Sequence, residues 1–261
     1  VAAAPGGRAH LVDLDFDQIT EVQVVEYVMA ASGRRQGGWV ATPNLDICRK
    51  SRRDPALRRL VKAATLVVAD GMPLVWAARL RGCPLPERVA GGSLIFSLSE
   101  AAVRHGRSIY LLGGATEVPY RAAVQLRRRY PGLVVSGADA PPRGFHSDPG
   151  VIDTVRDRLA AAAPDIVYVG LGFPKQERLI TEFASAFPAT WFVGCGAAIP
   201  YAAGTLPRPP RWMQQAGLAW LFRLCHEPRR LLRRYLVDDL PFAITLLAGA
   251  AAARIWPRQR R

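Results

Sequence analysis

Asp70 is the first residue to consider for chemistry. It follows the apolar run Leu66-Val67-Val68 and precedes Gly71 and a helix-like segment opened by Pro73, so a carboxylate stands where a buried strand meets a helix N-terminus. Open α/β sheets bind their ligands at that edge. The competing reading is an ordinary N-cap that serves only the helix's own unpaired N–H groups. Two further polar clusters hold equivalent places: Thr42 and Asn44 after Trp39-Val40-Ala41, and Lys175, Gln176 and Glu177 after Gly172-Phe173-Pro174. Asn44 is the only asparagine in the chain. Any one of these residues could be a cap or an Asx-turn. Together, at one C-terminal edge of a parallel sheet, they suit a hydroxylated ligand.

The elements that must position them alternate along the chain. A helical apolar pattern over 20–31 ends at Gly37-Gly38, the strand Trp39–Ala41 follows, and a helix is expected over Leu45–Ala63 before the strand that leads to Asp70. Helices are expected around Leu74–Arg81 and Ser93–His105, separated by the Pro-rich Cys83-Pro84-Leu85-Pro86. Three units then repeat strand, glycine turn and helix. Their strands are Ser108–Leu112, Ile166–Val169 and Trp191–Val193, and their turns are Gly113-Gly114, Gly170-Leu171-Gly172 and Gly194-Cys195-Gly196. Strands alternating with helices of this length predict an α/β fold: a Rossmann-like, mostly parallel sheet with helices on both faces. Glycine turns before helices can cradle a diphosphate. None completes Gly-x-Gly-x-x-Gly or a Walker loop, and a sheet-edge turn needs glycine by itself, so a dinucleotide oxidoreductase is a distant reading.

At 261 residues the chain can form one core with an appendage, here expected as residues 1–204 and 205–261. The formal net charge is +14, and the last 57 residues carry eleven Arg against Glu227, Asp238 and Asp239, a net +8. Such an excess predicts an anionic partner: nucleic acid, a phosphorylated ligand or an acidic membrane face. The basic segment has no recognisable nucleic-acid-binding motif and is interleaved with Trp212, Trp220, Leu221 and Phe222, so nucleic acid is not expected. The apolar run Phe242–Ala253, about twelve residues, falls short of the roughly 20 that span a bilayer and reads as lying on an anionic leaflet, with a buried core helix as the alternative. Trp256, Arg258, Arg260 and Arg261 close that stretch. Four scattered cysteines, Cys48, Cys83, Cys195 and Cys225, argue against a zinc site or a disulfide framework and suit a reducing compartment. Acidic residues within the first eighteen positions do not fit an export signal, so a cytoplasmic location is expected.

Ala41-Thr42-Pro43-Asn44, Ala69-Asp70-Gly71-Met72-Pro73-Leu74-Val75-Trp76, Pro84-Leu85-Pro86-Glu87-Arg88-Val89-Ala90-Gly91 and Gly170-Leu171-Gly172-Phe173-Pro174-Lys175-Gln176-Glu177 resemble, in this order, the motifs of the WecG/TagA/CpsF family of bacterial glycosyltransferases. So does the closing run from Arg211-Trp212-Met213-Gln214 to Arg233-Arg234-Tyr235-Leu236, and the likeness covers the chain from about Leu11 to Leu236. The resemblance implies inverting transfer of a sugar from a nucleotide-sugar donor to a lipid-diphosphate-linked acceptor at the inner face of the cell membrane. It implies no cofactor and no required metal. N-acetylmannosamine from its UDP form is the expected sugar, with glucose or galactose transfer in exopolysaccharide synthesis as the alternative. The sequence leaves self-association open.

By the same resemblance Asp70 is the base, and Thr42 shares the catalytic centre with it. Asn44, Gly71, Arg88, Gly113, Gly114, Gly170, Gly172, Lys175, Gln176 and Glu177 bind substrate, with Thr42, Asn44 and Gln176 on the sugar. A base must take the acceptor's proton as its oxygen attacks the anomeric carbon, and a partly desolvated carboxylate can do so. The departing diphosphate needs cations, which Arg supplies with a planar fork. Arg223, Arg230 and Arg233 are expected there. Glu227-Pro228 reads as a helix start, after which Arg230, Arg233 and Arg234 share one α-helical face; a solvated basic stripe beside a membrane is the alternative. The chain departs from the family pattern at Ser93, where many members carry Asp, and at Ile199-Pro200, where Phe-Asp is common. Both bear on donor identity. A non-catalytic scaffold for polysaccharide assembly would keep the basic tail without needing Asp70.

Overall fold

The computed structural model describes residues 6–255, apart from residues 143, 146 and 147. Trp256, Arg258, Arg260 and Arg261 lie outside the described residues. A six-stranded sheet, all of its pairings parallel, runs in the order β4-β3-β8-β7-β5-β6. Its strands are β3 (Gly38–Ala41), β4 (Leu66–Val67), β5 (Ser108–Leu112), β6 (Val134–Asp139), β7 (Ile166–Val169) and β8 (Trp191–Gly194). Alternate strand residues feed two separate cores, as the period of two requires. Val40, Ile109, Leu111, Ile166, Tyr168 and Trp191 pack against α1 (Glu21–Gly33), α5 (Gly91–Arg104), α6 (Val118–Arg129) and α9 (Ala198–Ala202). Trp39, Ala41, Tyr110, Leu112, Val167 and Phe192 pack on the other side with α2 (Leu45–Arg53), α3 (Pro55–Lys62), α4 (Met72–Leu80), α7 (Pro149–Ala162) and α8 (Lys175–Ala186). The fold is therefore α/β with helices on both faces, as the alternating pattern predicts.

Local differences from the sequence reading have plain causes. The helix expected over Leu45–Ala63 is two helices, because Pro55 cannot continue α2 and Asp54 instead caps α3 by accepting from the Ala56 and Leu57 N–H groups. An antiparallel hairpin, β1 (Arg8–Leu11) with β2 (Leu14–Asp17), precedes the sheet. Its Asp17 is buried and accepts from the Val67 N–H at 2.8 Å, tying the hairpin to β4.

After α10 (Arg211–Gln215) and α11 (Ala219–His226), the chain forms one continuous helix from Pro228 to Arg254, 27 residues long. This is well beyond the short apolar run expected, and by length and composition it could cross a membrane. Its parts are α12 (Pro228–Leu232), a π-helical turn (Arg233–Asp239) and α13 (Leu240–Ile255). Ala243, Leu246 and Ala250 form the buried stripe of α13, and Leu246 and Ala250 belong to the same core as Leu74 and Val75 of α4. A bilayer-spanning arrangement would have to break that contact.

Candidate active site

β3 and β4 lie side by side, which brings Thr42 and Asp70 to one edge. The Asp70 N–H donates to the Pro43 carbonyl at 3.0 Å, and the Thr42 hydroxyl donates to the Gly194 carbonyl at 2.9 Å, so the ends of β4, β3 and β8 are held together. Asp70 does not cap a helix. α4 begins at Met72, the cap position is Gly71, and no side chain caps it. The Asp70 carboxylate instead accepts from Arg88 Nη1 at 3.3 Å, and Arg88 Nη2 donates to Gln214 Oε1 at 3.1 Å. Burial raises the Asp70 pKa, opposed by the charges of Arg88, Arg223 and Arg234. A raised pKa makes this carboxylate a stronger base than a solvated one, which suits it to take a proton from a hydroxyl.

Two cavities meet at this carboxylate. One is a polar recess of about 80 Å³, to which Ser93, Tyr201 and Arg208 contribute. The other holds about 380 Å³ and extends between α4, α11 and α13, where Met72, Trp76, Trp220, Leu240 and Ile244 make an apolar wall. Asp70, Arg88, Gln214 and Arg223 line both. Asn44, Gly71 and Arg234 line the larger one only. Arg223 Nε is buried without a hydrogen-bond partner, and its Nη2 lies 3.6 Å from Glu227 Oε2. A buried donor with no acceptor is costly, and a bound anion would satisfy it.

Asn44 has a structural duty as well. Its Oδ1 caps α2 through the Ile47 N–H at 3.2 Å and accepts from Arg234 Nη2 at 3.4 Å. Arg234 also reaches Asp46 at 3.5 Å and Asp239 at 3.4 Å, and the buried Arg49 lies 2.7 Å from Asp46 and 3.5 Å from Asp239. This charge network fastens the long helix to α2 and aims Arg234 into the cavity.

Thr42 lines neither cavity, and the other expected residues also stand apart from both. Gly113 and Gly170 bring β5 and β7 together: Gly113 has φ +109°, and a Cβ there would lie 2.8 Å from the Gly170 carbonyl oxygen, so only glycine fits. Gly114 and Gly172 are exposed turn residues, and Lys175 is exposed at the start of α8. Gln176 is buried. Its Oε1 accepts from the Gly172 and Gly196 N–H groups, both at 3.3 Å, and its Nε2 donates to Glu177 at 2.8 Å, so it clamps the turns after β7 and β8. Glu177 is 3% exposed, its second carboxylate oxygen has no hydrogen-bond partner, and burial pushes its pKa up to about 7.

Arg230 and Arg233 do not share the site with Arg223. Arg230 is paired with Glu227 at 2.6 Å, and Arg233 is exposed. Of the three arginines expected on a shared face, Arg230 turns back to Glu227, Arg233 faces outward and Arg234 turns to Asp46 and Asp239. Arg234 takes the inward position.

Sequence reasoning missed Gln214, Tyr201 and Glu21. Gln214 follows Trp212-Met213 in the closing run, and its type, an amide among aromatic and basic residues, is the signal that could have found it. Glu21 is the first residue of α1, where an acid is ordinary. Its carboxylate accepts from Ser93 Oγ at 2.5 Å, which places a negative charge beside the polar recess.

Comparison with known proteins agrees with this geometry. Residues 9–255 match the Glycosyl transferase WecG/TagA/CpsF family. A Bacillus spizizenii protein named N-acetylglucosaminyldiphosphoundecaprenol N-acetyl-beta-D-mannosaminyltransferase is 30% identical over 221 residues, covering 84% of this chain and 83% of its own. A protein of the same name from Staphylococcus aureus (strain MW2) is 28% identical over 249 residues, 93% of each chain. With a family match over nearly the whole chain, a parallel α/β sheet and a carboxylate set among arginines at its C-terminal edge, this protein belongs to the WecG/TagA/CpsF family of glycosyltransferases.

Proposed function

We propose that the protein transfers N-acetylmannosamine from its UDP form to a sugar carried on polyprenyl diphosphate, with inversion and without a required metal, in cell-envelope polysaccharide synthesis. The observation that carries this reading is the position of Asp70 on the divide between a polar recess and an amphipathic cavity, with Arg88, Arg223 and Arg234 around it. The acceptor hydroxyl oxygen forms the new bond to the anomeric carbon as its proton passes to Asp70. The bond from that carbon to the UDP oxygen breaks, and its electron pair leaves on the diphosphate. The guanidinium groups of Arg88, Arg223 and Arg234 offset that charge, a role another enzyme would give to a divalent cation. Thr42, held by the Gly194 carbonyl, keeps its oxygen lone pairs for a sugar hydroxyl.

The exposed apolar residues Leu232, Leu236, Val237 and Ile244, flanked by Arg229, Arg230 and Arg233, support a peripheral location on an anionic inner leaflet. Residues 1–204 then carry the catalytic sheet, and residues 205–261 bring both the membrane contact and two of the arginines. The carboxylate of Glu21 beside Ser93 supports a second reading of the donor, UDP-glucose or UDP-galactose, because it changes the charge of the recess.

The test is a panel of UDP-sugars offered with a short-chain lipid-diphosphate-linked N-acetylglucosamine, with and without EDTA, reading product mass and released UDP. UDP-N-acetylmannosamine should be consumed in the presence of EDTA, with the rate falling on the acid side as the raised Asp70 pKa is crossed and the base is protonated. Asp70→Asn should lower turnover by about 10²–10⁴-fold and leave folding and UDP binding intact. Full activity in that variant refutes the base assignment, and exclusive use of UDP-glucose or UDP-galactose favours the second reading.

A further inference from the structure

The first residues of α5 make one side of the polar recess beside Asp70. Gly91 and Gly92 let that helix start hard against its neighbours: a Cβ at Gly91 would lie 2.8 Å from the Cys195 Cα, and one at Gly92 would lie 3.2 Å from the Tyr201 ring. Ser93 follows them and lines the recess. Its hydroxyl donates to Glu21 Oε2 at 2.5 Å and lies 3.0 Å from the Ala90 carbonyl oxygen. A hydroxyl has one proton and two lone pairs, and a carboxylate is a stronger acceptor than a carbonyl. Ser93 therefore gives its proton to Glu21 and meets the recess as an acceptor. Glu21 is not needed by its own helix. The start of α1 is closed by the Thr20–Gln23 capping box, and the Glu21 backbone N–H donates to Glu87 Oε1 at 2.6 Å. Its side chain reaches instead to a residue 72 positions away.

The other polar side chains of the recess sort by what they can offer a ligand. Arg88, Arg208 and Arg223 are donors only. Both ends of the Gln214 amide are engaged, Oε1 with Arg88 Nη2 at 3.1 Å and Nε2 with the Pro209 carbonyl at 2.7 Å. Asp70 is an acceptor, but as the base it serves the attacking hydroxyl. Ser93 is left to accept from a second hydroxyl or an amide N–H, with Tyr201 able to act either way. We infer that Glu21 is a positioning residue that fixes Ser93 as a hydrogen-bond acceptor, and that Ser93 thereby selects a donor sugar presenting a hydroxyl or an amide N–H at that point of the recess. The inference rests on the proposed transfer from a UDP-sugar and deepens it: recognition of the sugar falls to α1 and α5, and not to the arginines that face the diphosphate. A sugar with a carboxylate there would set lone pair against lone pair beside the Glu21 charge. A sugar with no donor there would leave Ser93 without its partner, which is how a site built for a hydroxyl or N–H rejects the analogue lacking it.

The Glu21 charge also bears on Asp70, so the deciding measurement is one to which the base does not contribute: calorimetric binding to the full chain with no acceptor present. The parent ligand is whichever of UDP-N-acetylmannosamine, UDP-glucose and UDP-galactose binds most tightly. Its analogues replace one sugar hydroxyl at a time by fluorine, or the acetamido N–H by an ester oxygen, so that each loses one hydrogen-bond donor. The wild type should bind one analogue about tenfold more weakly than the parent. Ser93→Ala should abolish that discrimination. Glu21→Ala should cut it to about threefold or less, since the Ser93 proton can then turn to the ligand, with UDP affinity and melting temperature as in the wild type. Glu21→Gln, whose amide oxygen can still accept from Ser93, should restore it. No weakened analogue in the wild type, or the same weakening in Ser93→Ala, overturns the inference. So does full discrimination in Glu21→Ala, or a Gln variant that loses as much as the Ala variant. Discrimination of this kind in a protein that transfers sugar to no lipid-diphosphate acceptor would sink the proposed function and leave this assignment standing; transfer without it does the reverse, and binding of none of the three UDP-sugars refutes both.

Discussion

Replacing Glu177 by Gln should stabilise the protein at alkaline pH and do little at pH 5. Glu177 is 3% exposed, its Oε1 accepts from Gln176 Nε2 and its Oε2 has no partner, so the ionised form is poorly solvated. Burial lifts its pKa from 4.5 to about 7. Between those values the native state holds a proton that the unfolded chain has released, so stability falls as pH rises through this window and the effect is complete above pH 7. At about 1.4 kcal/mol per pH unit the ionised native state carries a cost of about 3 kcal/mol. Gln keeps the contact with Gln176 and resembles the protonated acid in shape. Urea unfolding of both proteins at half-unit steps from pH 5 to pH 8.5 measures the difference directly, since all other titrating groups are common to the two. The variant's advantage should be about 1 kcal/mol or less at pH 5 and grow to about 3 kcal/mol by pH 8. A difference that does not change with pH, or a wild type that gains on the variant as pH rises, refutes the assignment of a strained buried carboxyl.

Two further outcomes follow from the placement of the tail. Arg223→Ala should lower kcat by about 10²–10³-fold, the scale of one lost charge-stabilising donor, whereas Arg230→Ala, whose side chain is 55% exposed and paired with Glu227, should stay within a few fold; steady-state kinetics with a lipid-diphosphate acceptor decide it, and equal losses refute the distinction. Changing Leu232 and Val237, 52% and 65% exposed, to Asp should reduce sedimentation with anionic vesicles at least tenfold without altering circular dichroism, and unchanged sedimentation would remove this face from the membrane contact.

Much of the sheet is legible because its strands are short runs of apolar residues that stop at glycine or a polar residue. Ile166–Val169 before Gly170 and Ser108–Leu112 before Gly113 announce both the strand and its end. β6 is not legible, because Ser136 and Gly137 interrupt its apolar pattern; the glycine is there since a Cβ would overlap the Tyr110 ring, a neighbour 27 positions away in sequence. The first hairpin is hidden for another reason. Its turn places Val12 and Asp13 at positive φ, whereas sequence rules look for Asn-Gly or Asp-Gly in such turns. At the site, the residue types were visible but their partners were not. Gln176 reads as a sugar ligand until its amide is seen spanning Gly172 and Gly196, and Arg234 reads as one member of a shared basic face with Arg230 and Arg233 until its contacts with Asn44 and Asp46 set it apart from them.

What the structure adds to Asp70 is a link between its two chemical requirements. Burial raises the Asp70 pKa, which strengthens the base and at the same time lowers the fraction that is ionised and ready to act. Arg88, from the core, and Arg223 and Arg234, from the long C-terminal segment, oppose that effect, while Glu21 adds to it. The same guanidinium groups face the cavity where a departing diphosphate would develop its charge. On the proposed mechanism, removing Arg223 should act twice, once on the leaving group and once on the base, and the second effect has a separate signature: the acid limb of the rate should move to higher pH. The C-terminal segment is in this sense part of the titration of Asp70, although Arg223 stands about 150 positions away from it along the chain.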